Sequence, residues 1–229
     1  LGLSLIWFPL LWLVCREAAV RQRRAQAAIR CCFRLFLRLM SALGVMSYRI
    51  DGAERLQQDE GCLLVANHPS LLDYVLLASV LPRCDCIVKQ ALWRNPFVAG
   101  VVRAAGYLPN VAPERLLPLC EQQLAAGGTL LIFPEGTRTG WDGQVKLHRG
   151  AVSIGLRSAA VITPVVIKMT PPNFKKGQPW YRIAPQKIHY EITVGEDIDP
   201  QSWLAEKPLP IAARRLNEYL QNYFIKHSL

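Results

Sequence analysis

A histidine, four residues and an aspartate stand together in Asn67-His68-Pro69-Ser70-Leu71-Leu72-Asp73. Glu135 follows His68 by 67 positions, inside Phe133-Pro134-Glu135-Gly136-Thr137-Arg138-Thr139. Imidazole accepts and returns protons near neutrality, and a carboxylate within reach fixes its tautomer and steadies the imidazolium. Pro69 suits the first position of a helix, where a fixed φ and a missing N–H cost nothing, so the spacing predicts Asp73 about one turn in. No serine or cysteine need act as nucleophile, because His68 can take its proton from a hydroxyl on the substrate itself. The pattern therefore points to direct transfer onto an alcohol. Charge developing on a carbonyl oxygen needs donors, and the backbone N–H groups around Gly136 are candidates because glycine permits close approach. His148, His189 and His227 have no such partner pattern.

Taken together, these blocks resemble the glycerolipid acyltransferases, the lysophosphatidate and lysophospholipid acyltransferases, over roughly residues 49 to 195. His68 and Asp73 match the family's first block, and Phe133 to Arg138 matches its third without a mismatch. Val161-Ile162-Thr163-Pro164-Val165-Val166 resembles the fourth, an apolar run about a proline. In the second block, Lys89, Pro96, Phe97, Gly100 and Gly106 stand where the family has a lysine, a Pro-Phe pair and glycines. The arginine usually found six residues after the last glycine is replaced here by Ala112. In the family that arginine grips the acceptor's phosphate, a task suited to a guanidinium fork. Two readings stand: Arg115 or Arg138 takes its part, or the acceptor differs.

The resemblance implies transfer of a fatty acyl group from acyl-CoA or acyl carrier protein to a free hydroxyl. The acceptor is a lysophospholipid, 1-acyl-sn-glycerol-3-phosphate foremost, in phospholipid biosynthesis. It implies His68 as base, Asp73 as its orienter, and an acceptor site of Glu135, Gly136, Thr137 and Arg138. In that site Arg138 pairs with a phosphate, while Glu135 contacts hydroxyls or orients Arg138. Lys89, Lys146 and Arg149 are further candidate anion contacts, and His148 sits where the family often has lysine. Neither a metal nor a bound cofactor is expected, the acyl thioester being a co-substrate. Three competitors remain: the same chemistry on a specialised non-glycerolipid acceptor, hydrolysis with water as acceptor, and a non-catalytic membrane adaptor.

The elements that must position these residues alternate between short apolar runs and helical patterns, which predicts an α/β fold, a mixed sheet flanked by helices. Predicted strands are 62–66, 84–89, 129–133, 161–168 and 188–194. Predicted helices are 70–81, 96–105, 113–126, 149–159 and 211–223. Both motifs fall just after predicted strands, where open α/β sheets place functional side chains. Gly127-Gly128 is a strong helix stop.

A chain of 229 residues suits one such domain, read here as residues 49–229, behind an N-terminal helical membrane-binding element at 1–48. The formal net charge of +10 is concentrated between Arg16 and Arg49, a stretch with eight arginines and one acid, Glu17. Such a block attracts anionic surfaces. The uncharged residues 1–14 before it favour lipid over nucleic acid. They would reach about 21 Å as a helix, short of the roughly 30 Å hydrocarbon core, so the segment spans only if extended and is otherwise re-entrant or interfacial. The arginines follow this apolar run instead of preceding it, unlike a signal peptide, and they place the block on the cytoplasmic face of the inner membrane. Arg30, Arg34 and Arg38 form a stripe beside Phe33, Leu35, Phe36, Leu37, Leu39 and Met40. That pattern suits either a helix in the headgroup plane or one packed on the domain with a basic edge. Seven cysteines without a framework pattern fit a reducing setting, and Cys84-Asp85-Cys86 lacks the partners of a zinc site.

Overall fold

The computed structural model describes residues 10–11, 15–57, 61–95, 98–140, 145–173, 177 and 185–228. Among them, strands β1 (Met46–Asp51), β2 (Cys62–Ala66), β3 (Asp85–Lys89), β4 (Leu108–Asn110), β5 (Leu130–Ile132), β6 (Val161–Thr170) and β7 (Ile188–Val194) form one sheet. Their order is β1-β7-β6-β2-β5-β3-β4, parallel at every junction except the antiparallel β6–β7 pair. The helices are α1 (Ala18–Ala42), α2 (Asp73–Val80), α3 (Gln90–Arg94), α4 (Ala99–Ala104), α5 (Pro113–Ala125), α6 (Gly150–Ser158), α7 (Pro200–Glu206) and α8 (Leu209–Ser228). This is the mixed sheet flanked by helices that the sequence predicts.

Burial follows position in the sheet. All five residues of central β2, Cys-Leu-Leu-Val-Ala, are buried, as expected of a parallel strand covered on both faces. Leu63 and Val65 meet one apolar layer, with Leu124 of α5, Ile154 of α6 and Leu220 and Phe224 of α8. Leu64 and Ala66 point the other way, toward Leu76 and Leu77 of α2 and Leu37 of α1. In β7 only alternate residues, Ile188, Tyr190, Ile192 and Val194, are buried, so one face alone meets the core. Gly127, at φ +73°, ends α5, its N–H bonded to Leu124 O and that of Gly128 to Gln123 O.

Helix α1 divides its apolar residues between two faces. Leu37 is fully buried, with Phe33 and Met40 packed beside it on the domain. Leu35 (68% exposed), Leu39 (54%), Leu43 (66%) and Phe36 (39%) face outward instead. Of the striped arginines, Arg34 donates through Nε to Ser79 O at 2.8 Å, tying the stripe to α2. The helix is thus docked along one side and apolar along another. Of the opening apolar segment, residues 1–9 and 12–14 lie outside the described residues, while Leu11 packs with Ile29, Val102 and Tyr107. Among the described residues, no helix is long and apolar enough to cross a membrane.

Candidate active site

Parallel strands β2, β5 and β3 end side by side, so the segments that follow them share one edge of the sheet. Asn67, the first residue beyond β2, is buried and spans to β6 with its amide. Its Nδ2 donates to Ile167 O at 2.8 Å, and its Oδ1 accepts from Ile167 N at 2.7 Å. A second Nδ2 contact, 3.3 Å to Ser228 Oγ, ties in the end of α8. His68 is therefore launched from a backbone fixed on both sides.

Helix α2 begins at Asp73, not at Ser70 as predicted, and Pro69 lies outside it. Ser70 is the reason. Its N–H donates to Asp73 Oδ2 at 2.7 Å and its Oγ to Asp73 Oδ1 at 2.6 Å, closing a side-chain turn in place of a first helical turn. Asp73 is thus the opening residue of the helix, fully buried, with Oδ2 2.8 Å from His68 Nδ1. Burial pushes its carboxyl above the usual range, while hydrogen bonds from His68 and Ser70 pull it back. An ionised carboxylate only accepts, so Nδ1 carries the ring proton and Nε2 is left as acceptor. Nε2 has no hydrogen-bond partner among the described residues, and the imidazole is 20% exposed. Phe133 stacks on it, with ring centroids 4.2 Å apart and planes at 20°, fixing the ring's tilt.

The third block is laced to the first. Glu135, buried, accepts through a single oxygen, Oε1, from His68 N at 2.8 Å and from Thr139 Oγ1 at 3.0 Å. Thr139 N returns a bond to His68 O at 2.7 Å. Burial raises the Glu135 carboxyl, and these donors oppose the shift. Glu135 Oε1 is thus engaged by the backbone of the histidine, a contact that stands beside the acceptor-site role the resemblance implies. Of the backbone N–H groups around Gly136 expected to meet an oxyanion, that of Gly136 itself closes a turn onto Phe133 O at 3.0 Å, with Gly136 at φ +65°.

The remaining predicted contacts gather around this edge at different depths. Thr137 is exposed and Arg138 half-buried just beyond the turn. His148 N donates to Pro134 O at 2.8 Å, which brings His148 against the turn: a Cβ on Gly136 would lie 3.4 Å from its ring. Lys146, His148 and Arg149 are exposed there, leading into α6. Lys89 is exposed at the end of β3, one strand beyond Glu135. Ala112 precedes α5 and Arg115 lies in its first turn, both exposed.

Sequence reasoning did not assign roles to Asn67, Ser70, Phe133 or Thr139, although all four lie inside the quoted motifs. It missed Tyr190 altogether. That tyrosine is fully buried on β7 and donates to Ser70 Oγ at 3.1 Å. The only signal for it was the period-two pattern that turns it inward.

The chain is similar to known proteins both in sequence and in fold. A family model described as Acyltransferase matches residues 47–168. The human 1-acyl-sn-glycerol-3-phosphate acyltransferase beta is 28% identical over 138 residues, covering 57% of this chain and 50% of the relative. The 1-acyl-sn-glycerol-3-phosphate acyltransferase of Cocos nucifera is 26% identical, with 69% of this chain and 52% of that one covered. The protein of the same name from Helicobacter pylori (strain J99) is 28% identical, the alignment covering 70% and 69%. The chain thus spans about half the length of the first two relatives. In fold it is similar to the crystal structure of the 1-acyl-sn-glycerophosphate acyltransferase PlsC from Thermotoga maritima. That likeness has a TM-score of 0.73 at 18% identity and covers 98% of this chain and 89% of the other.

Proposed function

The chain belongs to the acyltransferase family, and from that premise we propose that it moves a fatty acyl group from an acyl thioester to the free hydroxyl of a lysophospholipid. The acceptor on this reading is 1-acyl-sn-glycerol-3-phosphate, the compound after which the curated relatives are named. The donor is acyl-CoA or acyl carrier protein. The observation that carries the proposal is the 2.8 Å His68–Asp73 pair, with the imidazole partly exposed and its Nε2 without a hydrogen-bond partner among the described residues.

His68 Nε2 takes the hydroxyl proton as the oxygen attacks the thioester carbonyl. The tetrahedral intermediate collapses with cleavage of the C–S bond, and the imidazolium returns the proton to the departing thiolate, giving an ester and a free thiol. Asp73 holds the ring and offsets its transient charge. Glu135 keeps the His68 backbone in register, whereas Arg138, Lys146 and Arg149 supply the cationic rim for a phosphate, with the His148 ring beside it. No metal or bound cofactor takes part in these steps. The outward apolar side of α1 and its arginines seat the protein on the anionic lipid of the membrane's cytoplasmic face, where the acceptor resides.

The test is purified protein with a labelled acyl thioester, with and without lysophosphatidate. Labelled phosphatidate that forms only when the lysolipid is present supports the proposal. Release of free fatty acid alone means hydrolysis, and no turnover of the donor with any lysolipid means an adaptor.

A further inference from the structure

The hydroxyl of Ser70 has all its hydrogen-bonding capacity in use. A serine hydroxyl offers one proton and two lone pairs. Leu72 N and Tyr190 OH each donate to Oγ at 3.1 Å, so both acceptor directions are filled and the proton goes to Asp73 Oδ1 at 2.6 Å. Tyr190 comes from β7, 120 residues away, and is fully buried. Burial raises its phenol, so the O–H remains a donor at working pH.

We propose that Tyr190 is a positioning residue for the reaction, acting through Ser70 to keep the Asp73 carboxylate an acceptor for His68 Nδ1–H; this rests on the reading of His68 as the base. The physical need is specific. A fully buried carboxylate short of donors takes up a proton. It then presents O–H to Nδ1, and the ring turns to the Nε2–H tautomer, which cannot accept from a hydroxyl. Tyr190 guards against this by leaving the Ser70 proton no direction but Asp73.

The experiment compares the parent, Tyr190→Phe, Ser70→Ala and the double variant by two readouts: steady-state kinetics with lysophosphatidate, and nitrogen-15 NMR of the His68 tautomer in histidine-labelled protein. Tyr190→Phe is expected to lower kcat about three- to tenfold with KM unchanged, the size of one lost hydrogen bond. Part of His68 moves to the Nε2–H form, and adding the change to Ser70→Ala costs nothing more. Parental kcat and tautomer in Tyr190→Phe overturn the inference. So does a kcat loss without any change of tautomer, or an equal loss in both backgrounds. If the parent transfers no acyl group while the tautomer still moves, the proposed reaction fails and the role of Tyr190 in setting His68 stands.

Discussion

Glu135 and His68, 67 residues apart, meet side chain to backbone, Glu135 Oε1 accepting from His68 N at 2.8 Å. The bond fixes the loop after β2 to the loop after β5 at the point where the imidazole leaves the backbone. Removing its acceptor strands a partly buried N–H, and changing only its charge does not. Glu135→Ala is therefore expected to cost about 1–3 kcal/mol of stability and to lower kcat. Glu135→Gln, which keeps an oxygen in place, melts close to the parent. Thermal melts of the two variants check this, and equal melting temperatures for both would contradict it.

Asp85 should make stability depend on pH. It is fully buried, with Oδ1 accepting from Gln26 Nε2 at 2.7 Å and Gln22 Nε2 at 3.2 Å. Its Oδ2 and Gln26 Oε1 are buried without a partner among the described residues. Burial raises its carboxyl above the unfolded value, so the native state holds the proton more tightly. This contribution to stability is fully present at low pH and is lost as pH rises from about 4 through the raised value. Asp85→Asn removes the buried charge and adds a donor among these acceptors. The variant is expected to melt about 2–4 °C above the parent near neutrality, with the advantage shrinking toward acid. An advantage equal at both ends, or a loss at neutrality, counts against the assignment.

The cysteines divide by burial. Cys31 and Cys32 are exposed on α1, whereas Cys62 and Cys86 are buried, their thiols pushed up to about 11 and about 12 by desolvation. Iodoacetamide on the native protein at neutral pH should label the first pair and spare the second, as read by peptide mass mapping. In alkali the sign is unfavourable to the fold. The unfolded thiol ionises near 8.5, the native one higher, so stability falls as pH rises between the two. Rapid labelling of Cys62 or Cys86 in folded protein would refute this placement.

Leu35 and Leu39 on the outward side of α1, with Leu43 just past its end, give the membrane proposal its test. Leu35→Ser with Leu39→Ser leaves the docked side, Phe33, Leu37 and Met40, untouched. It is expected to weaken flotation with anionic vesicles by about tenfold or more, two leucines' worth of apolar burial, without lowering the melting temperature. Vesicle binding at the parental level would show that this side meets something else.

Much of this was legible in the sequence because the signals are local. The five apolar residues of β2 and the alternation in β7 identify strands, and the two motifs following strands locate the site's edge. The misses have physical causes. Pro69 read as a helix start, but Ser70 and Asp73 built a side-chain turn there. Leu108-Pro109-Asn110 carries a proline that argues against a strand, yet β4 is the outermost strand of the sheet, where a missing N–H is tolerated. Asp199-Pro200 did carry a signal, a cap and first-turn proline, with Asp199 accepting from Gln201 N and Ser202 N. Tyr190 carried no signal beyond the alternation that turns it inward, because its partner, Ser70, lies 120 residues away in sequence.

The central claim is that His68 removes the acceptor's proton, and the turnover number of His68→Ala measures it most directly. With folding verified by circular dichroism and melting temperature, kcat for acyl transfer to lysophosphatidate should fall by about 10²–10⁴, the usual contribution of a positioned base. A folded His68→Ala protein that transfers acyl groups at the parental rate would contradict the account.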